Sequence, residues 1–282
     1  MITFLKKCFL IVCPSPLIKP AVAVLFWTRY CRYRIEELLF PNRMKGFCPC
    51  CGMKFQSFVS GPFRNRPERF NPARYEHTRQ EVLCPICRSL PRHRILALWG
   101  KKHEALFRKA DILFFAPVRS ERMWMKRNHI SCVTADLYSP GVDLIIDIQH
   151  TGLPDQSYDI IVCNHVLEHV DDFRQALKEM YRILRPGGSF ICSFPMDPNV
   201  ELLDEDLSVR TEAERIRRFG QNDHQRVFGM KADQFLAEAA FTVERIDGND
   251  YPEEILPVVG PADYDNNLLF RCIKAPAANS RE

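Results

Sequence analysis

YDIIVCNHVLEHVDDFRQALKEMYRILRPGG, residues 158–188, is the stretch whose reading decides the fold. Tyr158 to Asn164 form a near-continuous apolar run, the pattern of a parallel strand covered on both faces. Asp171 and Asp172 then offer an N-cap. Phe173, Ala176, Leu177, Met180 and Leu184 recur at helical spacing and make one apolar face. Arg185-Pro186-Gly187-Gly188 stops the helix, because proline cannot continue it and glycine accepts a positive φ. Ser189 to Phe194 reads as the next strand, so the whole is a βαβ unit with a right-handed crossover.

Working outward, 282 residues with 46% hydrophobic content allow one full α/β core and a smaller module. A net charge of +4 at pH 7 carries no strong nucleic-acid footprint. Twelve cysteines, several of them in apolar strand-like runs (Cys132, Cys163, Cys192), read as reduced thiols of a cytoplasmic protein with a metal site. Residues 1–46 are apolar with a basic flank of Arg29, Arg32, Arg34 and Lys45. Pro14, Pro16, Lys19 and Pro20 interrupt them before the ~20 apolar residues of a spanning helix. This segment is expected to be amphipathic, packed on the domain or touching an anionic membrane surface.

Phe47-Cys48-Pro49-Cys50-Cys51-Gly52 and Cys84-Pro85-Ile86-Cys87-Arg88 share a CPxC form. Each two-residue gap turns two sulfurs to one ion, so Cys48, Cys51, Cys84 and Cys87 predict a closed, structural zinc site. Cys50 is an alternative to Cys51 in that shell. A thioredoxin-like redox pair is disfavoured, because neither CxxC opens a helix after a strand. Between the knuckles, Phe63, Arg64, Arg66, Arg69, Arg74, Tyr75 and Arg79 interleave basic and aromatic residues. With Arg92, His93 and Arg94 they allow a nucleic-acid surface, a solvated loop, or an active-site mouth that attracts an anion; the last is the preferred reading.

The order Tyr158-Asp159, Val166-Leu167-Glu168-His169 and Arg182 to Gly188 resembles class I S-adenosylmethionine (SAM)-dependent methyltransferases. Together with the knuckles, residues 47–273 resemble a bacterial zinc-knuckle group of that family. The resemblance implies a Rossmann-like, seven-stranded, mostly parallel sheet with flanking helices behind a small N-terminal zinc-binding module. The units would be 1–46, the zinc-knuckle module 47–100, the methyltransferase domain 101–275 and a frayed tail 276–282.

Asp111 to Phe115 is the first strand, and Phe115, Ala116 and Pro117 begin the turn that would approach the cofactor's amino-acid end. That turn departs from the family by lacking glycine, and Val118 stands where the zinc-knuckle group has an acidic residue. A pyrophosphate needs glycine-backed amides at a helix start, so the same turn argues against a nucleotide dehydrogenase. Asp136, followed by Leu137, ends the second strand and would accept the ribose hydroxyls. The third strand, Val142 to Ile146, precedes Asp147 and Ile148, which the resemblance places at the adenine amine and ring face. Asn164 and His165 end the fourth strand, where open α/β sheets bind ligands. Glu168 and His169 offer an acid/base pair on one helix face with His165, or merely orient the helix.

Residues 196–230 are a long connection of the kind that builds substrate pockets. Within it, FGQNDHQRVFG (219–229) resembles a segment of the zinc-knuckle group, and His224 and Arg226 are expected to project into the pocket as base and anion clamp. The expected activity is methyl transfer from SAM to a small-molecule or saccharide acceptor, with His165, His224 and Arg226 as catalytic candidates. The alternatives are an RNA methyltransferase gripping through the zinc module and a non-catalytic binding protein of the same fold, the latter favoured by the glycine-free turn.

Overall fold

The computed structural model describes residues 20–60, 82–252, 255 and 268–277, without the side chains of residues 20–23, 25 and 26. The expectations for residues 1–19, for the basic and aromatic spacer residues 63–79 and for most of the 276–282 tail lie outside these. Helix α1 (Pro20–Leu39) leads into the hairpin β1 (Gly46–Cys48) and β2 (Met53–Phe55). Tyr30 is buried and meets Trp27 edge-on at 5.9 Å, so this helix packs on the cysteine-bearing hairpin through its aromatic residues. Val24, Ile35, Leu38 and Leu39 remain exposed on it. Among the described residues no helix is long and apolar enough to cross a membrane.

Helices α2 (Pro91–Lys102) and α3 (Glu104–Phe107) precede the main sheet. Its strands are β3 (Ile112–Phe115), β4 (Val133–Asp136), β5 (Leu144–Ile145), β6 (Tyr158–Asn164) and β7 (Leu184–Ser193). Helix α4 (Arg119–Arg127) follows β3, and α5 (Phe173–Ile183) follows β6. The later elements are β8 (Met196–Asp197), β9 (Leu203–Glu205), α6 (Glu212–Phe219), β10 (Arg226–Gly229), α7 (Asp233–Glu238), β11 (Phe241–Asp247) and β12 (Leu268–Lys274). The seven-stranded order is β11-β12-β7-β6-β3-β4-β5. β7, β6, β3, β4 and β5 run parallel, and β12 is antiparallel to both β7 and β11. This is a Rossmann-like sheet, seven-stranded and mostly parallel as expected. The chain reverses its winding between β3 and β6, and such a switch point opens a crevice at the carboxyl ends of the strands.

Side chains alternate across the sheet and divide the core into two layers. Ile112, Phe114, Ile160, Val162, Ile191 and Leu269 face one way; Leu113, Phe115, Ile161, Cys163, Phe190 and Phe270 face the other. The first layer is continuous with Cys48, Cys51, Cys84 and Cys87 through Ile95, Trp99 and Trp124. The knuckles therefore share one core with a sheet face, and the expected boundary at residue 100 falls inside it. Asp172 caps α5 as predicted, its Oδ1 accepting from the Gln175 amide at 3.0 Å. The Pro-Gly-Gly turn is absorbed into β7 as a bulge, with pairing that jumps from Tyr158–Leu184 to Ile160–Ser189. Gly187 sits at φ 79°, and a Cβ on Gly188 would come within 2.9 Å of the Asp159 carbonyl.

Candidate active site and cysteine centre

A cavity of about 710 Å³ lies at the carboxyl edge of the sheet. Phe115 and Ala116 reach it from β3, Asp136 and Leu137 from β4, Asp147 and Ile148 from the end of β5, and His165 from β6. These predicted cofactor residues meet in one wall although they come from four strands. Two others do not line it. Pro117 is buried beside the turn. Asn164 is spent inside the protein: its Nδ2 donates to Glu121 Oε1 at 2.7 Å, and its Oδ1 accepts from Ser193 Oγ at 3.1 Å.

The glycine-free turn works by a different device. Ala116 adopts φ 46°, the left-handed region that glycine enters without cost, and its amide donates to the Ala135 carbonyl at 2.7 Å. Glu121 closes the turn from behind. Its Oε2 accepts from the Val118 amide at 2.9 Å, so the acidic side chain arrives three residues after the expected position. Burial raises the Glu121 carboxyl to about 7, against the pull of its bonds to Asn164 and Val118. Sequence reading missed Glu121. The capping spacing from Val118 was the available signal, but valine is not a capping residue.

The two acidic strand ends are each fixed locally. Asp136 Oδ1 accepts from the Tyr138 and Ser139 amides, both at 2.8 Å, and among the described residues Oδ2 accepts no hydrogen bond. Asp147 Oδ1 accepts from the Gln149 amide at 2.8 Å, and Gln149 Nε2 bridges both oxygens at 3.2 Å. The loop carrying Asp147 is tied to α5 by Glu179, whose Oε1 accepts from Thr151 N at 3.0 Å and Oγ1 at 2.6 Å.

The Val166–His169 segment is a tight turn rather than the expected helix start. Its geometry is set by Arg226, which is fully buried. Arg226 Nη1 donates to the Leu167 carbonyl and Nη2 to the Asp171 carbonyl, both at 2.9 Å, while Nε meets Glu205. Arg226 is thus corrected from anion clamp to scaffold, since every face of its guanidinium is engaged in the protein. His224 is likewise buried and lies behind the wall rather than in the cavity. Burial and the neighbouring His169 lower it to about 3, so it is neutral. His224 lies in the loop just before β10 (which belongs to a three-stranded sheet ordered β8-β10-β9), Arg226 opens that strand, and both side chains are buried. The expected mouth residues are also displaced. Arg94 is fully buried, donating to Ser89 and Ile255 carbonyls and stacking over Phe58, and His93 Nδ1 accepts from the Leu90 amide. Neither they nor Arg92 line the cavity.

Cys48, Cys51, Cys84 and Cys87 converge, with ligand atoms all within 4.8 Å of one another. The Cys48–Cys87 sulfurs are 3.6 Å apart and the Cys51–Cys84 sulfurs 3.7 Å. A zinc ion 2.3 Å from four tetrahedral thiolates requires edges of about 3.8 Å, so the donor set fits that ion. Cys50 points away, its Sγ donating to the His93 carbonyl at 3.3 Å. The residue after each knuckle takes a left-handed turn, Gly52 at φ 68° and Arg88 at φ 63°. Burial and neighbouring thiols push the Cys51 and Cys87 thiols well up, so the group does not ionise together without a cation.

Residues 125–192 match the family described as a methyltransferase domain. Part of the chain is 37% identical over 82 residues to a demethylmenaquinone methyltransferase of Listeria monocytogenes, covering 29% of this chain and 33% of that protein. Another match is 46% identical over 50 residues to a malonyl-[acyl-carrier protein] O-methyltransferase of Yersinia pestis, covering 18% of this chain and 19% of that protein. The chain thus spans about a third or less of these curated relatives. A solved SAM-dependent methyltransferase from Archaeoglobus fulgidus is 15% identical over 64% of this chain and 94% of that one, with a TM-score of 0.45.

Proposed function

We propose that this protein is a SAM-dependent methyltransferase acting on a small-molecule hydroxyl acceptor, with a structural zinc ion in its cysteine centre. The observation that carries the reading is the pair Asp136 and Asp147, anchored carboxylates on adjoining strand ends in one cavity at the switch point. Asp136 Oδ2 is available to a ribose hydroxyl, Ile148 offers an apolar face to a purine, and Asp147 stands beside it to accept from an exocyclic amine. The Phe115–Ala116 turn would lie against the amino-acid end. Bound SAM supplies a methyl group already activated on a sulfonium, which leaves as a neutral thioether.

What remains for the chain is positioning and one proton. His165 lines the cavity, and its Nδ1 lies 3.4 Å from Glu168 Oε1. Burial, then the nearby Arg92 and His93, hold it neutral and make it a weak base, so it takes the proton only as the acceptor oxygen bonds to the methyl carbon and its O–H turns strongly acidic. The partial relatives bear the names of a demethylmenaquinone and a malonyl-[acyl-carrier protein] methyltransferase, which supports a small acceptor over RNA. A saccharide hydroxyl belongs to the same class. The cysteine centre is closed, with four protein donors and no position for substrate, which supports a structural role. Titration calorimetry with SAM tests the reading: binding is expected, and the absence of heat at millimolar cofactor would leave a non-catalytic binding protein.

A further inference from the structure

Immediately behind the cavity wall, the Val166–His169 turn and the loop before β10 bring Glu168, His169 and His224 together, with one ligand atom from each within 4.8 Å of the others. Glu168 is fully buried, and neither carboxylate oxygen has a hydrogen-bonding partner among the described residues. Buried carboxylates are ordinarily paired, so an orphaned one calls for a ligand. Its nearest neighbours are His165 Nδ1 at 3.4 Å and His169 Nε2 at 3.8 Å.

The imidazoles are held in a specific way. His169 Nδ1 faces Asp223 Oδ2 at 3.2 Å, and His224 Nδ1 lies 3.1 Å from the Phe219 carbonyl. Each Nδ1 therefore carries its proton toward an oxygen, leaving Nε2 as a lone pair. His224 Nε2 is buried without a partner, and the rings meet edge-on at 4.7 Å. A carboxylate or carbonyl behind the ring is the arrangement that orients metal-binding histidines.

We propose that Glu168, His169 and His224 form a binding site for a divalent transition-metal cation, with Asp223 and the Phe219 carbonyl orienting the two imidazoles. Two nitrogens and one carboxylate suit a first-row cation of the Co²⁺ or Zn²⁺ type. Ligand distances of about 2.0–2.2 Å would draw the group inward by about 1 Å, a movement that side-chain rotation supplies. His169, one of the three ligands, lines the cavity, so a bound ion would lie against that wall. An acceptor hydroxyl binding there would be acidified beside His165. That last consequence rests on the methyltransferase reading; the site itself does not.

The test uses the full-length protein, stripped of loosely held metal with EDTA and titrated with Co²⁺, with and without SAM. A visible d–d spectrum lacking the near-ultraviolet thiolate band is expected, saturating at about one Co²⁺ per chain. Glu168→Gln should abolish it. Asp223→Asn, a change at an exposed carboxylate that spares the fold, should weaken binding about tenfold or more. An unchanged spectrum up to millimolar Co²⁺, or equal affinity in the wild type and Glu168→Gln, would overturn the proposal. Co²⁺ uptake by a protein that gives no heat with SAM would keep the site and remove the methyltransferase reading. Heat with SAM but no Co²⁺ uptake would do the reverse.

Discussion

The cysteine centre and the glutamate–histidine cluster are built alike and differ in one respect. Each gathers metal-ligating side chains from two places far apart in sequence, residues 48–51 with 84–87 and residues 168–169 with residue 224. Each is buried. The four sulfurs are closed on one another and packed with Met53, Phe55 and Ile86, and none of the four cysteines lines the cavity that holds Asp136 and Asp147. The carboxylate and His224 Nε2 have no hydrogen-bonding partner among the described residues, and the cluster abuts the cavity to which the predicted cofactor residues contribute. Closure marks a group that holds the fold, and incompleteness beside a cavity marks one that awaits a ligand.

The largest expected effect breaks the closed member. Cys84→Ser should lower zinc content from about one per chain and cost more than about 3 kcal/mol, because metal affinity at such centres is folding energy. Zinc analysis with urea denaturation checks this; a stable, metal-free wild type made with zinc supplied would refute it.

Glu121 sharpens the contrast, since it is a buried carboxylate with a partner on each oxygen, unlike Glu168. Its folded-state value of about 7 lies above the ordinary 4.5. The folded protein therefore holds the proton more tightly, and the contribution, full below pH 4.5, is lost as pH rises to about 7. The loss amounts to about 3 kcal/mol. Whatever its absolute stability, Glu121→Gln should lack this slope, so its melting temperature should gain on the wild type between pH 4.5 and 7. Parallel curves would show that Glu121 titrates normally.

On the cavity side, Asp136→Asn keeps the acceptor that caps the Tyr138 and Ser139 amides but loses the charge. SAM affinity should fall about tenfold to a hundredfold, as for a charged hydrogen bond, with melting almost unchanged. Equal affinity by calorimetry would separate Asp136 from the cofactor. The smallest effect is Ala116→Gly, which relieves a left-handed alanine at the expense of chain entropy. Stability should shift by less than about 1 kcal/mol in urea denaturation. A loss above 2 kcal/mol, outside that range, would mean that the Ala116 methyl packs a site the turn needs.

What the sequence made legible was local or periodic. The apolar run of β6, the Asp172 cap and the two CPxC turns depend on neighbours within a few residues, and all are found in place. The choice of Cys51 over Cys50 follows from knuckle geometry, because only Cys51 turns back toward Cys84. What was hidden depends on contacts across tens of residues. Glu121 meets Asn164 43 positions away, and Arg226 reaches Leu167 across 59. An arginine offered to solvent and one buried against carbonyls have the same letter, so no spacing rule told them apart. The Pro-Gly-Gly segment reads as a stop, yet pairing with β6 carried it into the sheet as a bulge.

The two-layered core has an optical consequence. The chain has three tryptophans, and Trp27, Trp99 and Trp124 all belong to the layer that contains the cysteines. The layer beneath α5 and α7 is filled with phenylalanine, leucine and methionine and has no indole among its described residues. Tryptophan emission will therefore follow events on one side of the sheet, and a loosening confined to the other side, where Tyr158 and Tyr181 pack, will be seen only through tyrosine.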